Sequence, residues 1–149
     1  MNKIYEDLTI VTVLYDSSEL INDLLKNLIN FKVIVVDNGN NEQILKKLSD
    51  FKNVKVITQK KNLGYGRAIN FAFEKIKSKY FFVLNPDLVI SEKSIYDLYV
   101  LITKNPDREI CEFMAGLELG ENMRAAAVYP LKIGGGVREG GGRASASMQ

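Results

Sequence analysis

The chain has 149 residues, 46% of them hydrophobic and 26% charged, which suits one globular domain with a real core and leaves too little for two. A net charge of +2 gives no strong electrostatic case for nucleic acid or an acidic membrane surface, so no nucleic-acid partner is expected. Cys111 is the only cysteine and histidine is absent, which excludes an internal disulfide, a multi-cysteine metal site, a Ser-His-Asp triad and a histidine zinc site.

In chain order, Leu8 to Tyr15 (LTIVTVLY) is β-branched and nearly uninterrupted, a buried first strand. Asp16 then reads as a helix N-cap, with Glu19 three residues on completing a capping box. Leu20, Ile21, Leu24, Leu25, Leu28 and Ile29 follow at helical spacing as one apolar stripe. Phe31 to Val36 is a second strand, ending at the turn signal Asp37-Asn38-Gly39-Asn40. Ile44, Leu45 and Leu48 mark a short helix, and Val54 to Thr58 a third strand. Asn62-Leu63-Gly64-Tyr65-Gly66 leads into a helix carrying Ala68, Ile69, Ala72, Phe73 and Ile76. Tyr80 to Leu84 is a fourth strand, stopped by Asn85-Pro86-Asp87 because proline has no N–H for the ladder. A last helix covers about Ser91 to Thr103, with Ser91 as N-cap. This alternation predicts an α/β fold over residues 8 to 103, an open, mainly parallel sheet with helices on both faces.

Composition changes near Ile110: fourteen Lys and three Gly precede Cys111, whereas one Lys and eight Gly follow. Residues 134 to 149 are Gly/Ser/Ala-rich and cannot bury enough apolar surface to order themselves. Ala125 to Ile133 reads as one more strand. Two explanations compete, a divergent flexible end of a natural domain or a reading frame that leaves its parent near residue 110. The abruptness of the switch favours the second. No apolar run approaches the roughly 20 residues of a membrane span, and the N-terminus lacks a signal-peptide pattern, so the expected address is the cytoplasm.

Polar clusters follow three of the strands, at Tyr15-Asp16, Asp37-Asn38 and Asn85-Asp87, and a fourth spans Asn62 to Asn70. In one parallel sheet they converge on the carboxyl edge, where ligands bind. Asp37 can accept hydrogen bonds from a ribose or a base, or can form an Asx turn before Gly39. Asp87 can contact a divalent cation that neutralises a diphosphate, or can close a strand-ending turn. With no histidine and one cysteine, a metal would be held by oxygen, which favours Mg2+ or Mn2+. Gly64-Tyr65-Gly66 suits a close backbone approach to a ligand, a positive φ, or an ordinary turn. Tyr15 can stack on a base or simply pack, and Arg67 can reach a phosphate or stay solvated. GYGRAI lacks the third glycine of a dinucleotide fingerprint, and DSSEL after the first strand has none, which counts against an NAD-type enzyme.

Taken in order, VTVLY, VIVVDNGN, NLGYGRAIN and FFVLNPD resemble the N-terminal half of a family 2 glycosyltransferase with the glycosyltransferase A fold. The nearest likeness is to the rhamnosyltransferase-like group, with its VVDNGS, NxGxxxAxN and LNPD stretches. The resemblance implies an inverting enzyme that moves a sugar from a UDP- or dTDP-sugar donor to a polysaccharide or glycolipid acceptor. It implies peripheral association with the inner face of a membrane. It also implies a base contact by Asp37, with Asn38 beside it and Tyr15 lining the pocket, and a donor site shaped by Asn62, Gly64, Arg67, Ala68 and Asn70. Asn85-Pro86-Asp87 matches the family's DxD-type motif, with Asn85 in place of its first Asp and Asp87 as the contact to Mn2+ or Mg2+. On this reading residues 1 to 110 are the nucleotide-sugar-binding domain and 111 to 149 an atypical, partly disordered Gly-rich segment, so the fold is incomplete at its C-terminus. The family's general base comes from the second half of its domain. Glu112, Glu118, Glu121 and Glu139 do not match its context, so no catalytic base is assigned. The alternative is a truncated, non-catalytic nucleotide-binding fragment or interaction module.

Overall fold

The computed structural model describes residues 2–16, 19–104, 111–113 and 126–130. Four strands, β1 (Leu8–Leu14), β2 (Lys32–Asp37), β3 (Val54–Thr58) and β4 (Tyr80–Val83), lie parallel in the order β3-β2-β1-β4. Parallel neighbours cannot be joined by a hairpin and need crossovers. These are α2 (Ile21–Lys26) between β1 and β2, α3 (Glu42–Leu48) between β2 and β3, and α4 (Tyr65–Phe73) between β3 and β4. Helix α1 (Asn2–Asp7) precedes the sheet and α5 (Glu92–Lys104) follows β4. Two further strands, β5 (Cys111–Phe113) and β6 (Ala126–Pro130), extend the sheet antiparallel on the far side of β4. The expected strand at 125–133 is thus found in part, while residues 134–149 and the Asn105-Pro106-Asp107 turn lie outside the described residues.

Alternation along the strands divides the core in two. Leu8, Ile10 and Leu14 of β1, with Val33, Val35 and Phe82, face Ile21, Leu24 and Leu25 of α2, Ile44 and Leu48 of α3, and Ile95, Leu98 and Ile102 of α5. Val11, Val13, Ile34, Val36, Phe81 and Val83 point the other way, against Ala68 and Ala72 of α4. All seven residues of β1 are buried, which explains its unbroken apolar run: a central strand has no solvent face. Each large side chain that is fully buried, such as Phe82 or Leu8, contributes about 1.5–3 kcal/mol. β3 is half-buried and carries the exposed Lys55, a charged residue of the kind that protects an edge strand from pairing with another chain. Among the described residues no helix is long and apolar enough to cross a membrane.

The structure corrects two readings at the first crossover. Asp16 is not an N-cap: it takes a left-handed φ of 54°, whereas a capping residue is extended. α2 begins at Ile21, after Leu20, which makes no side-chain cap. The helix is therefore shorter than its stripe, and Leu20 and Ile29 at the stripe's ends are exposed while Leu28 stays buried. Ser91 does cap α5, accepting from the Ser94 N–H at 3.0 Å.

α1 was not expected, and aromatic side chains bind it to the rest. Tyr5 packs edge-on against Phe31 at 5.0 Å between centroids and donates its hydroxyl to Glu92. Tyr99 donates to Asp7 at 2.9 Å. The bond to Glu92, then desolvation, raises the Tyr5 phenol pKa. Burial first, then the bond to Asp7, pushes the Tyr99 phenol up to about 12 from 10.0. A proton held more tightly in the folded state contributes stability in full below the unfolded value, and that contribution is lost as pH rises through the folded one. Urea midpoints of the wild type are therefore expected to fall between about pH 10 and about pH 12. In Tyr99→Phe this component is absent, and equal slopes for the two proteins would contradict the assignment.

Candidate functional site

The strand order reverses direction between β1 and β4, since β2 and β3 lie on one side of β1 and β4 on the other. Such a switch leaves a crevice at the carboxyl ends of the two strands. β1 runs three residues past Val11, its last partner on β4, and continues into Tyr15-Asp16. Leu84 donates to the Val11 carbonyl at 2.8 Å, after which the chain leaves the sheet through Asn85-Pro86-Asp87. These two exits therefore flank the crevice.

Asp37 and Asn38 end β2 beside it. They are 0% and 3% exposed, and polar groups so deeply placed require partners. Asp37 folds back on its own turn: Oδ1 accepts from the Gly39 N–H at 3.1 Å and Oδ2 from the Asn41 N–H at 2.8 Å. This is the Asx-turn arrangement. Asn38 reaches across to the next loop, donating from Nδ2 to Asn62 Oδ1 at 2.7 Å and accepting from the Leu63 N–H at 2.9 Å. Asn62 Oδ1 also accepts from the Gly64 N–H at 2.8 Å.

That latch sets the start of α4. Gly64, the N-cap, has φ 77° and ψ 160°, a region open essentially to glycine alone. A Cβ there would meet nothing within 4 Å, so the demand for glycine is conformational. Gly66 has no positive φ and equally open space, so on the helix it answers no steric demand. Tyr65 donates its hydroxyl to Asn85 Oδ1 at 3.0 Å and so ties α4 to the exit of β4. Ala68 is fully buried against the sheet, while Arg67 and Asn70 are exposed on the helix. Among the described residues Arg67 makes no ion pair.

Tyr15 is 55% exposed, with a ring carbon 3.8 Å from where a Cβ on Gly39 would stand, so its ring lies against the turn that Asp37 closes. Asp87 is exposed, and among the described residues nothing bonds to or pairs with its carboxylate. Among those residues there is also no group of three or more Asp, Glu, Cys or His side chains. A cation here would take one protein carboxylate and draw its remaining oxygens from the ligand, the usual manner of Mg2+-like ions bound with phosphates.

The structure thus brings three groups to one edge of the sheet, the Asp37 turn, the Asn38–Asn62–Gly64 latch and the Tyr65–Asn85 pair, sets Tyr15 beside the first, and leaves Arg67, Asn70 and Asp87 exposed nearby. One residue escaped the sequence reading. Gln59, directly after β3, is 9% exposed, and its backbone N–H donates to the Asp37 carbonyl at 2.8 Å. A glutamine after a strand reads as a solvated loop residue, so no local signal marks it.

The model of glycosyl transferase family 2 matches residues 9–126. The fold is similar to that of S. aureus TarS residues 1–349, with a TM-score of 0.56 and 24% identity over 66% of this chain and 32% of that one. It is also similar to that of the mannosyltransferase PcManGT from Pyrobaculum calidifontis, solved with GDP-Man and Mn2+, with a TM-score of 0.58 and 14% identity over 64% and 32% of the respective chains. The chain therefore spans about a third of the length of either structure. No curated protein sequence matches it.

The two glycines of this loop should separate cleanly in urea unfolding. Gly64→Ala is expected to cost about 1–3 kcal/mol, from the strained backbone alone. Gly66→Ala is expected to gain about 0.5–1 kcal/mol as a helical glycine replaced without a clash. Equal effects at the two positions would refute the conformational assignment.

Proposed function

Because the chain belongs to glycosyl transferase family 2, we propose that it binds the donor in an inverting sugar transfer from a UDP- or dTDP-sugar to a polysaccharide or glycolipid acceptor. The observation that carries this reading is the exposed carboxylate of Asp87 beside the β1/β4 switch point, unpaired among the described residues. Asp87 would hold Mn2+ or Mg2+ together with the donor diphosphate. When bound, such a cation neutralises charge developing on the phosphate leaving group. Asn85, in the first position of the DxD-like motif, is held in place by Tyr65 and adds no charge to the site.

The remaining residues orient the donor. Tyr15 offers a half-exposed ring for a base to stack on. Asp37 fixes the turn beneath that ring with two of its roughly four lone-pair positions and keeps the others for a base N–H or a ribose hydroxyl. Asn38 and Asn62 hold the loop that presents α4, and Arg67 on its first turn supplies a positive charge for a phosphate. Asn70, one turn further on, lies exposed on the same helix. The VVDNGN and LNPD stretches support a place among the rhamnosyltransferase-like members. We assign the donor-binding role to residues 1 to 110 and activation of the acceptor to none of the described residues.

A second reading is nucleotide binding without turnover. Sugar transfer by the 149-residue chain alone would exclude it. For the primary reading, titration calorimetry with UDP or dTDP in the presence of Mn2+ is expected to show binding that Asp87→Ala weakens about 10- to 100-fold. Folding stability should stay within about 0.5 kcal/mol, since Asp87 is exposed and unpaired among the described residues. Wild-type protein that binds neither nucleotide, with or without metal, would end the proposal.

A further inference from the structure

We propose that Gln59 reads the nucleotide base, its carboxamide pairing with the imide edge of uracil or thymine. This rests on the nucleotide-sugar reading and adds a residue to it. Gln59 is 91% buried by the 9% exposure of its side chain and backbone together, and its Nε2 has no hydrogen-bond partner among the described residues. An amide that far inside a protein is ordinarily satisfied, and an orphan donor in a native structure calls for a partner of another kind, water or ligand.

Its position says which. The Gln59 N–H extends the β2–β3 ladder by one bond to the Asp37 carbonyl, so the residue sits at the carboxyl edge of the sheet, next to Asp37 and Asn38. Two residues back, Ile57 packs with the α4-side core, and strand alternation places Gln59 on that same side. The other buried polar side chains of this corner each have partners in the protein. Asp37 is held by Gly39 and Asn41, and Asn38 by Asn62 and Leu63. Gln59 is the one of the three whose side chain has a polar atom with no partner at all among the described residues. Thr12, the other residue with an unpaired buried polar atom among the described residues, lies two positions inside the end of β1 and is fully enclosed.

A carboxamide presents a donor beside an acceptor, and an imide edge presents the complementary acceptor beside a donor, so the pair closes two hydrogen bonds. The last torsion of glutamine is broad, so the amide can turn to meet the base without leaving its place in the packing.

Gln59→Met keeps the length and volume of the side chain and removes both hydrogen-bonding groups. In the 149-residue chain with Mn2+, calorimetry is expected to show UDP bound about tenfold more weakly than by wild type, with a reduced preference for UDP over GDP. The melting temperature should not fall, because the variant buries no unpaired amide. Undiminished UDP affinity in Gln59→Met overturns the proposal while leaving the nucleotide reading intact. Wild type that binds neither UDP nor dTDP overturns both. Should the melting temperature fall together with affinity, Gln59→Glu decides, since it keeps the size and the acceptor but lacks the donor: full UDP affinity there also overturns the proposal.

Discussion

The carboxyl edge of this sheet depends on how two buried polar residues at the end of β2 are satisfied. A central strand covered on both faces leaves no water for Asp37 and Asn38, so each must find protein partners. Alternation sends them to opposite sides, and the solutions differ. Asp37 closes its own turn through two backbone N–H groups, while Asn38 spends both ends of its amide on the loop at 62–63. The second solution has the longer reach. By fixing Asn62 it fixes Gly64, whose unusual backbone starts α4, and Tyr65 on the first turn of α4 then holds Asn85 at the exit of β4. One amide at the end of β2 thus sets the relative placement of elements that lie on either side of β1.

The strands and later helices were legible because their signals are local and strong. Unbroken apolar runs mark β1, β2 and β4, and the apolar spacing and serine cap mark α5. The first crossover was misread because a capping box is a statement about residue types, whereas a cap is a statement about backbone angles, and Asp16 has the wrong ones. α1 is held by tyrosine contacts to residues 26 to 92 positions away, and such partners leave no mark on the local pattern. The antiparallel addition of β6 to β4 is likewise a pairing across more than forty residues of chain.

The site was legible as a location and much less as a set of bonds. The convergence of Tyr15, Asp37, Asn62 and Asn85 follows from parallel strands alone, and the sheet order delivers it. Which of Asp37 and Asn38 would face inward to its own loop, and which outward to the next, depends on strand phase and on loop geometry that composition does not carry. Gly64 and Gly66 look alike in sequence, and only the backbone separates the one that needs to be glycine. Gln59 is the limiting case, a residue of ordinary type made unusual by its burial.

α4 is held differently from the other helices. Its face of the sheet has a core of eight buried residues, against twenty-two on the opposite face, among the described residues. Its fully buried contacts with the sheet are Ala68 and Ala72, small side chains that allow close approach but bury little area each, with the partly buried Ile69 beside them. Position along the sheet must then come mainly from the ends: Gly64 and Tyr65 at the start, and Phe73 against Phe81, 5.6 Å between centroids, at the finish. Directional hydrogen bonds to Asn62 and Asn85 can hold a helix terminus more exactingly than apolar contact, which is non-directional. A site whose polar groups must stand within about half an ångström of a ligand gains from that arrangement. The exposed groups on and beside α4, Arg67 and Asp87, form no ion pair among the described residues, and the amides of Asn38, Asn62 and Asn85 help to fix the backbone that carries them.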